Sequence, residues 1–326
     1  ENTNVFVTGA GGFIGSHLCS ELVKQGANVT AMLHYNSRSD WSNLDFLENE
    51  VKTSLKVVKG NVEDSSFMDS ATKDQSIIFH LAALIGIPYS YEAPLSYVKT
   101  NIEGTVNVLE SGRKNGTELI INTSTSEVYG TALYTPIDEK HPKQAQSPYS
   151  ASKISADNLA ESYYNSFELP VITIRPFNTF GPRQSARAVI PSIISQLLTQ
   201  DELKLGELTA VRDFTYVEDT VKGFLAAAVH SDKIGEVINL GFGKAATIGD
   251  TAKLIMKLMN INKSIVSDSQ RIRPKGSEVF ELISDNSKSL NLIDWKPEVK
   301  FSEGLEETIN FVENNLDFYK TNSYNI

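Results

Sequence analysis

The sequence predicts an α/β fold, a Rossmann-type doubly wound parallel sheet with a smaller α/β substrate-binding domain. Three observations carry the prediction. Short apolar runs alternate with helical stretches over units of roughly 30 residues, the pattern of parallel strands joined by crossover helices. The runs are mostly apolar at adjacent positions rather than strictly alternating, as strands covered on both faces are. A glycine-rich turn follows the first run directly and opens a helix.

In chain order, residues 5–8 read as the first strand, 9–15 as the glycine turn and 16–25 as an amphipathic helix. Further strands are expected at 29–33, 55–59, 76–81, 119–123 and 171–175, with helices at 96–115 and from 149 to about 167. Beyond residue 180 the alternation fades, leaving strand candidates at 203–205 and 236–240. Residues 1–178 are therefore assigned mainly to a dinucleotide-binding domain and 179–326 mainly to a substrate domain interwoven with it, since no flexible linker separates them. The polar tail 319–326 is expected to be poorly ordered.

Composition narrows the function. The 326 residues carry a formal net charge of −10, with 40% hydrophobic and 21% charged residues. That is a globular chain with a real core, and its charge disfavours DNA or RNA as a partner. The single cysteine, Cys19, forms no internal disulfide. No apolar run reaches the ~20 residues of a spanning helix, and the chain enters an apolar strand without a basic leader. The expectations are no membrane partner, no signal peptide and a cytoplasmic location. No metal ligand set is assigned.

Gly9, Gly12 and Gly15 give G-x-x-G-x-x-G, with Phe13 and Ile14 inside it. Glycine lets the backbone approach a pyrophosphate closely, and the helix N-terminus supplies N–H donors and a positive dipole end. The acidic residue that would bind the NAD ribose after the second strand is missing; His34, Tyr35, Asn36 and Ser37 stand there, followed by Arg38. Such an arginine could accept the 2′-phosphate of NADP. NAD is the expected cofactor, with NADP not excluded.

Tyr149 and Lys153 lie one helical turn apart on one face. An ammonium close to a phenol favours the phenolate, so the pair can serve as acid and base on a hydroxyl during hydride transfer. The strand at 119–123 runs into Ser124-Thr125-Ser126-Glu127-Val128-Tyr129-Gly130, at the carboxyl end where a parallel sheet presents its ligand crevice. Thr125 can hydrogen-bond a substrate hydroxyl. Glu127 is a candidate base for removing a proton from carbon. Ser126 and Glu127 could equally serve as turn and cap residues.

Together the glycine motif, His80-Leu81-Ala82-Ala83, the 124–130 segment, Tyr149/Lys153 and Arg175-Pro176-Phe177-Asn178 resemble the extended short-chain dehydrogenases that modify nucleotide sugars, the NAD-dependent epimerase/dehydratase family. The resemblance runs from residue 4 to about 315. Ser124–Ala132, Tyr149–Lys153 and the stretch 178–188 are most similar to nucleotide-sugar 4,6-dehydratases of legionaminic acid biosynthesis, which act on N-acetylglucosamine carried by GDP or UDP. The resemblance implies that Asn178 touches the substrate diphosphate and that Arg183, Arg212 and Arg273 bind phosphate, as arginine forks do. It implies that Leu81, Ala82, Ala83, Thr100, Asn61 and Val62 line the cofactor; Asn61 stands where the family usually has Asp. It implies a homodimer packed through helices near 96–115 and 149–167 as a four-helix bundle. One departure stands out: many 4,6-dehydratases carry Thr-Asp-Glu, whereas this chain has Thr125-Ser126-Glu127, a form shared with UDP-glucuronate decarboxylases. The alternatives to dehydration are thus a UDP-glucuronate decarboxylase, then a nucleotide-sugar 4-epimerase. A non-catalytic dinucleotide sensor would be expected to lack Tyr149 or Lys153.

Overall fold

The computed structural model describes residues 2–37, 39–272 and 274–319. Arg38, Arg273 and residues 320–326 of the tail lie outside the described residues; Tyr319, at the tail's start, is buried.

Twelve strands follow in chain order: β1 Asn4–Thr8, β2 Asn28–His34, β3 Lys56–Gly60, β4 Ile77–His80, β5 Leu119–Thr123, β6 Val171–Pro176, β7 Asn178–Phe180, β8 Leu203–Leu205, β9 Val211–Tyr216, β10 Val237–Leu240, β11 Ala245–Thr247 and β12 Ile265–Ser267. Seven form a parallel sheet in the order β10-β6-β5-β4-β1-β2-β3. The chain moves outward from β1 to β3, then crosses back to β4 on the other side of β1. That reversal opens a crevice at the carboxyl ends of β1 and β4, where Thr8 and His80 are register partners.

Apolar residues cover both faces of the sheet. Val5, Leu18, Phe79, Ile121 and Ile172 belong to one cluster, and Phe6, Ile78, Val108, Ile120 and Val171 to the other. Alternate residues of each strand feed opposite faces, which is why adjacent positions such as Val5 and Phe6, or Ile120 and Ile121, are both apolar. A third cluster joins the helices Val189–Thr199, Ile248–Met259 and Phe301–Asn314 to β7, β8 and β9. There β11, β9 and β7 form a small mixed sheet, and β12 pairs with β8.

One strand lands elsewhere than its place in the chain suggested. β10, from the second half, pairs with β6 and completes the large sheet. The helix Val217–Val229 likewise places Val221 and Phe224 in the first half's core. Among the described residues, no helix is long and apolar enough to cross a membrane.

Candidate active site

Helix starts place the chemistry. Ser147 caps the helix Pro148–Phe167: its Oγ accepts the Ser150 N–H at 3.0 Å, and Pro148 fills the first turn. Tyr149 and Lys153 thereby face the carboxyl end of β5 from the first two turns. Both are buried, at 7% and 3% exposure. Lys153 Nζ donates to the Thr123 carbonyl at 2.7 Å. Thr125 hydrogen-bonds Tyr149, and its Oγ1 also accepts the Glu127 N–H at 3.2 Å, starting the short turn Ser126–Tyr129.

The electrostatics differ from the sequence expectation. Burial pushes the Tyr149 phenol up, opposed by its hydrogen bond to Thr125 and reinforced by the charge of Glu127. Burial pushes Lys153 down, opposed by the charge of Asp157. The lysine is thus spent on the Thr123 carbonyl, and desolvation outweighs the expected lowering of the tyrosine. Asp157 is held by Arg175, with N–O distances of 3.0 and 2.9 Å, and Arg175 also donates to the Tyr129 hydroxyl at 3.0 Å. This buried network fixes the third turn of the helix to β6.

The crevice between β1 and β4 fits a dinucleotide. Gly9 has φ +67°, and a Cβ there would meet Ala82 N at 2.8 Å. A Cβ at Gly15 would lie 2.3 Å from the Gly9 carbonyl oxygen, so the turn and the helix can approach only with glycine at both places. Gly12 begins the helix Phe13–Lys24 and no side chain caps it, which leaves first-turn N–H groups for an anion. Phe13 and Ile14 pack against the core. Opposite, Thr8 Oγ1 accepts the N–H groups of Leu81 and Ala82 at 3.0 Å each, setting the 81–83 segment along the crevice. Thr8 Oγ1 also meets His80 Nδ1 at 2.9 Å.

The remaining cofactor candidates divide. Asn36 follows β2 and is half-buried. Asn61 Oδ1 accepts the Glu63 N–H at 3.1 Å, and Thr100 Oγ1 donates to Glu63 at 2.6 Å. The Val62 side chain is 3% exposed and belongs to the core, packed where a Cβ on Gly104 would meet it at 2.7 Å. Its carbonyl accepts from Asn107 Nδ2 at 2.9 Å.

A cleft of about 270 Å³ lies between the two halves, lined by Glu127, Asn178, Gln184, Arg187, Arg212 and Arg271, with Glu278 beside Arg212. The Arg212–Glu278 contact is 3.4 Å. Arg271 pairs with Asp268 at 3.1 Å and reaches Ser192 Oγ at 3.3 Å. Asn178 Oδ1 and Gln184 Oε1 are buried acceptors with no hydrogen-bond partner among the described residues. The two orphaned acceptors suit a ligand that brings hydroxyl or N–H donors, and the arginines, three against Glu127, Glu207 and Glu278 in the lining, suit an anionic group beside them.

Arg183 lies apart from this cleft. It has φ +70°, and that left-handed turn sends its side chain away from the cleft. Its Nε points to His17 Nε2 at 3.2 Å, and it lines a different cavity. Arg273 lies outside the described residues. Sequence reasoning missed Arg187, Arg271, Gln184 and Glu278; all sit within the 178–188 and 270–278 stretches, but their spacing gave no sign of which arginine faces the cleft. Ser126 is buried at 2% exposure, and the cleft opens on Glu127 instead.

The sequence matches the family described as GDP-mannose 4,6 dehydratase over residues 6–308. A UDP-N-acetyl-alpha-D-glucosaminuronate decarboxylase from Bacillus cytotoxicus is 32% identical, with 93% of this chain and 95% of that protein covered. A dTDP-glucose 4,6-dehydratase from Streptomyces venezuelae, solved with NAD bound, superposes with a TM-score of 0.90 at 25% identity over 98% of this chain and 99% of that one. A UDP-glucuronic acid 4-epimerase from Bacillus cereus, solved with NAD, gives a TM-score of 0.88 at 28% identity over 96% and 99%. One frame thus serves three outcomes of chemistry at a sugar. The extent of the match, laid over a glycine crevice and a tyrosine–lysine pair, shows that the chain belongs to the GDP-mannose 4,6 dehydratase family of nucleotide-sugar dehydratases, epimerases and decarboxylases.

Proposed function

We propose that the chain is a 4,6-dehydratase of an N-acetylglucosamine nucleotide, carried by GDP or UDP, that works with NAD. The observation that carries this reading is the opening of the cleft on Glu127, the carboxylate next to the Thr125–Tyr149 hydrogen bond. A base for carbon stands beside an acid/base for oxygen.

A nicotinamide bound along the glycine crevice supplies hydride acceptance and return. Tyr149 takes the proton of the C4 hydroxyl, with Lys153 and Thr125 holding the site. The C4 ketone then acidifies C5–H, and Glu127 removes that proton. The C6 hydroxyl departs as water with a proton from Glu127, since Ser126 is buried away from the cleft. Arg212, Arg271 and Asn178 hold the diphosphate. Residues 1–178 mainly serve the cofactor and 179–326 mainly the sugar nucleotide. The motifs similar to the legionaminic acid pathway enzymes support the N-acetylated sugar.

Arg271→Ala is expected to weaken binding of the nucleoside diphosphate by roughly 10- to 100-fold, the loss of one or two charge-assisted hydrogen bonds. NAD affinity should stay near that of the wild type. Calorimetric titration of each ligand checks this, and an unchanged diphosphate affinity would take Arg271 out of the site.

A uronate decarboxylase is the second reading. Arg187 favours it: this cation lines the cleft with Glu127 and acts on Tyr97, whose ring lies 6.2 Å from that of Tyr149. A positive charge near the reacting end suits a C5 carboxylate. The deciding experiment is mass analysis of products from GDP-, UDP-, CDP- and dTDP-linked sugars. A product one water lighter, from an N-acetylglucosamine nucleotide, is the expected result. Carbon dioxide from UDP-glucuronate without any dehydration would establish the second reading instead.

The same reading includes a homodimer through the helices of residues 94–115 and 148–167. Leu95 and Phe167 expose apolar surface on them, at 64% and 51%. Light scattering is expected to give twice the 35.9 kDa chain mass; a monomer would refute it.

A further inference from the structure

The helix that begins at the glycine turn carries a second feature near its far end. Ser20 and Lys24 form one wall of a cavity of about 250 Å³, with Pro182 and Arg183 opposite and Phe46 and Phe311 as apolar walls. It shares no lining residue with the cleft.

Arg183 is the reason to read this cavity as a site. It is 8% exposed. The other buried arginines have carboxylates, Asp157 for Arg175 and Glu278 for Arg212. Arg183 has no carboxylate at ion-pair distance among the described residues; its hydrogen bond goes to His17. That partner brings no negative charge, since an imidazole is neutral or cationic, and burial, then the charge of Arg183, push His17 down to about 3 and so keep it neutral. An unpaired buried guanidinium is costly, and burial draws Arg183 down to about 10. Lys24 adds a second cation, against which Glu48 is the one carboxylate in the lining. Phe46 meets Phe311 and Phe318 edge to face, at 5.3 Å each, and is still 39% exposed, which leaves aromatic surface for a flat partner.

We propose that this cavity binds a small organic phosphate whose head group pairs with Arg183 and Lys24 and whose flat apolar body lies on Phe46 and Phe311. The loop that bears Arg183 continues at once to Gln184 and Arg187 in the cleft. A ligand held there touches both that loop and the helix of the cofactor crevice.

Phenyl phosphate, with inorganic phosphate as the ring-less control, is titrated calorimetrically into the full chain, Lys24→Glu and Arg271→Ala. Lys24 is exposed, so the charge reversal leaves the fold intact. Phenyl phosphate is expected to bind the wild type more tightly than inorganic phosphate, to weaken about tenfold or more in Lys24→Glu and to keep its affinity in Arg271→Ala. Arg183→Gln, checked for folding by its thermal melt, should lose binding in the same way. Equal affinity for wild type and Lys24→Glu, loss in Arg271→Ala, or no binding to the wild type would each overturn the proposal.

Discussion

Tyr149→Phe is expected to lower turnover by roughly 10²–10⁴-fold, the range for loss of one general acid/base, or about 3–5 kcal/mol of barrier. The substitution removes one oxygen and keeps the ring. The edge-to-face contact with Tyr97 at 6.2 Å therefore survives, as does burial against Ile87. Lys153 keeps its bond to the Thr123 carbonyl. Thermal melting and NAD affinity should accordingly stay near wild-type values while the rate collapses. The buried state of the phenol adds a pH signature. Burial holds its proton on, so the free enzyme's base is weakly populated at neutral pH. The rate should therefore climb as pH rises, in the direction of phenolate formation, and the climb should vanish in the phenylalanine variant. Stopped assays of product against pH, on both proteins, check the two statements together. A variant rate close to wild type would remove Tyr149 from the chemistry.

What the sequence made legible follows from range. The glycine turn, the strands through β6 and the helix from 149 to about 167 are written in local signals, the short mostly apolar runs and Gly9 to Gly15 among them, whereas the Ser147 cap emerges only in the structure. Tyr149 and Lys153 were legible because four residues on a helix is a fixed geometry. The placement of β10 was not, since its pairing with β6 joins residues some 64 apart, as Val237 and Thr173 show, and no local pattern encodes that partner. The arginines divide for a related reason. Each has the same chemistry in the sequence, but the backbone of its loop decides its direction, and the left-handed Arg183 turns away while Arg187, four residues on, lines the cleft. The state of Tyr149 also escaped the sequence. A neighbouring lysine can be read from spacing, whereas full burial of both groups, and the Thr123 carbonyl that takes the ammonium, exist only after packing.

Glu127→Gln separates the dehydratase reading from its rivals most sharply. The amide keeps the size of the side chain and its place after Thr125, so the cleft and the Tyr149 pair should remain. It cannot take a proton from carbon. Oxidation at C4 needs Tyr149 alone, so the variant should still accumulate reduced nicotinamide, seen by its absorbance, on mixing with substrate. It should then stall before water is lost, with steady-state turnover down by roughly 10²–10⁴-fold. In the wild type, removal of the C5 proton and its replacement from solvent should place deuterium at C5 of the product in D2O. The product should also be one water lighter before label is counted. A uronate decarboxylase needs no base for C5–H, because carbon dioxide leaves from that carbon, and an epimerase returns hydride to C4 with no loss of mass. Hence a Glu127→Gln variant that turns over at the wild-type rate, or a wild-type product without deuterium at C5, would refute the dehydratase assignment even if NAD reduction were seen. The cleft that opens on Glu127 rather than Ser126 makes the same demand of the second carboxylate function. If Glu127 also protonates the departing hydroxyl, Ser126→Ala should retain most activity, and the two variants should differ by at least about tenfold in rate.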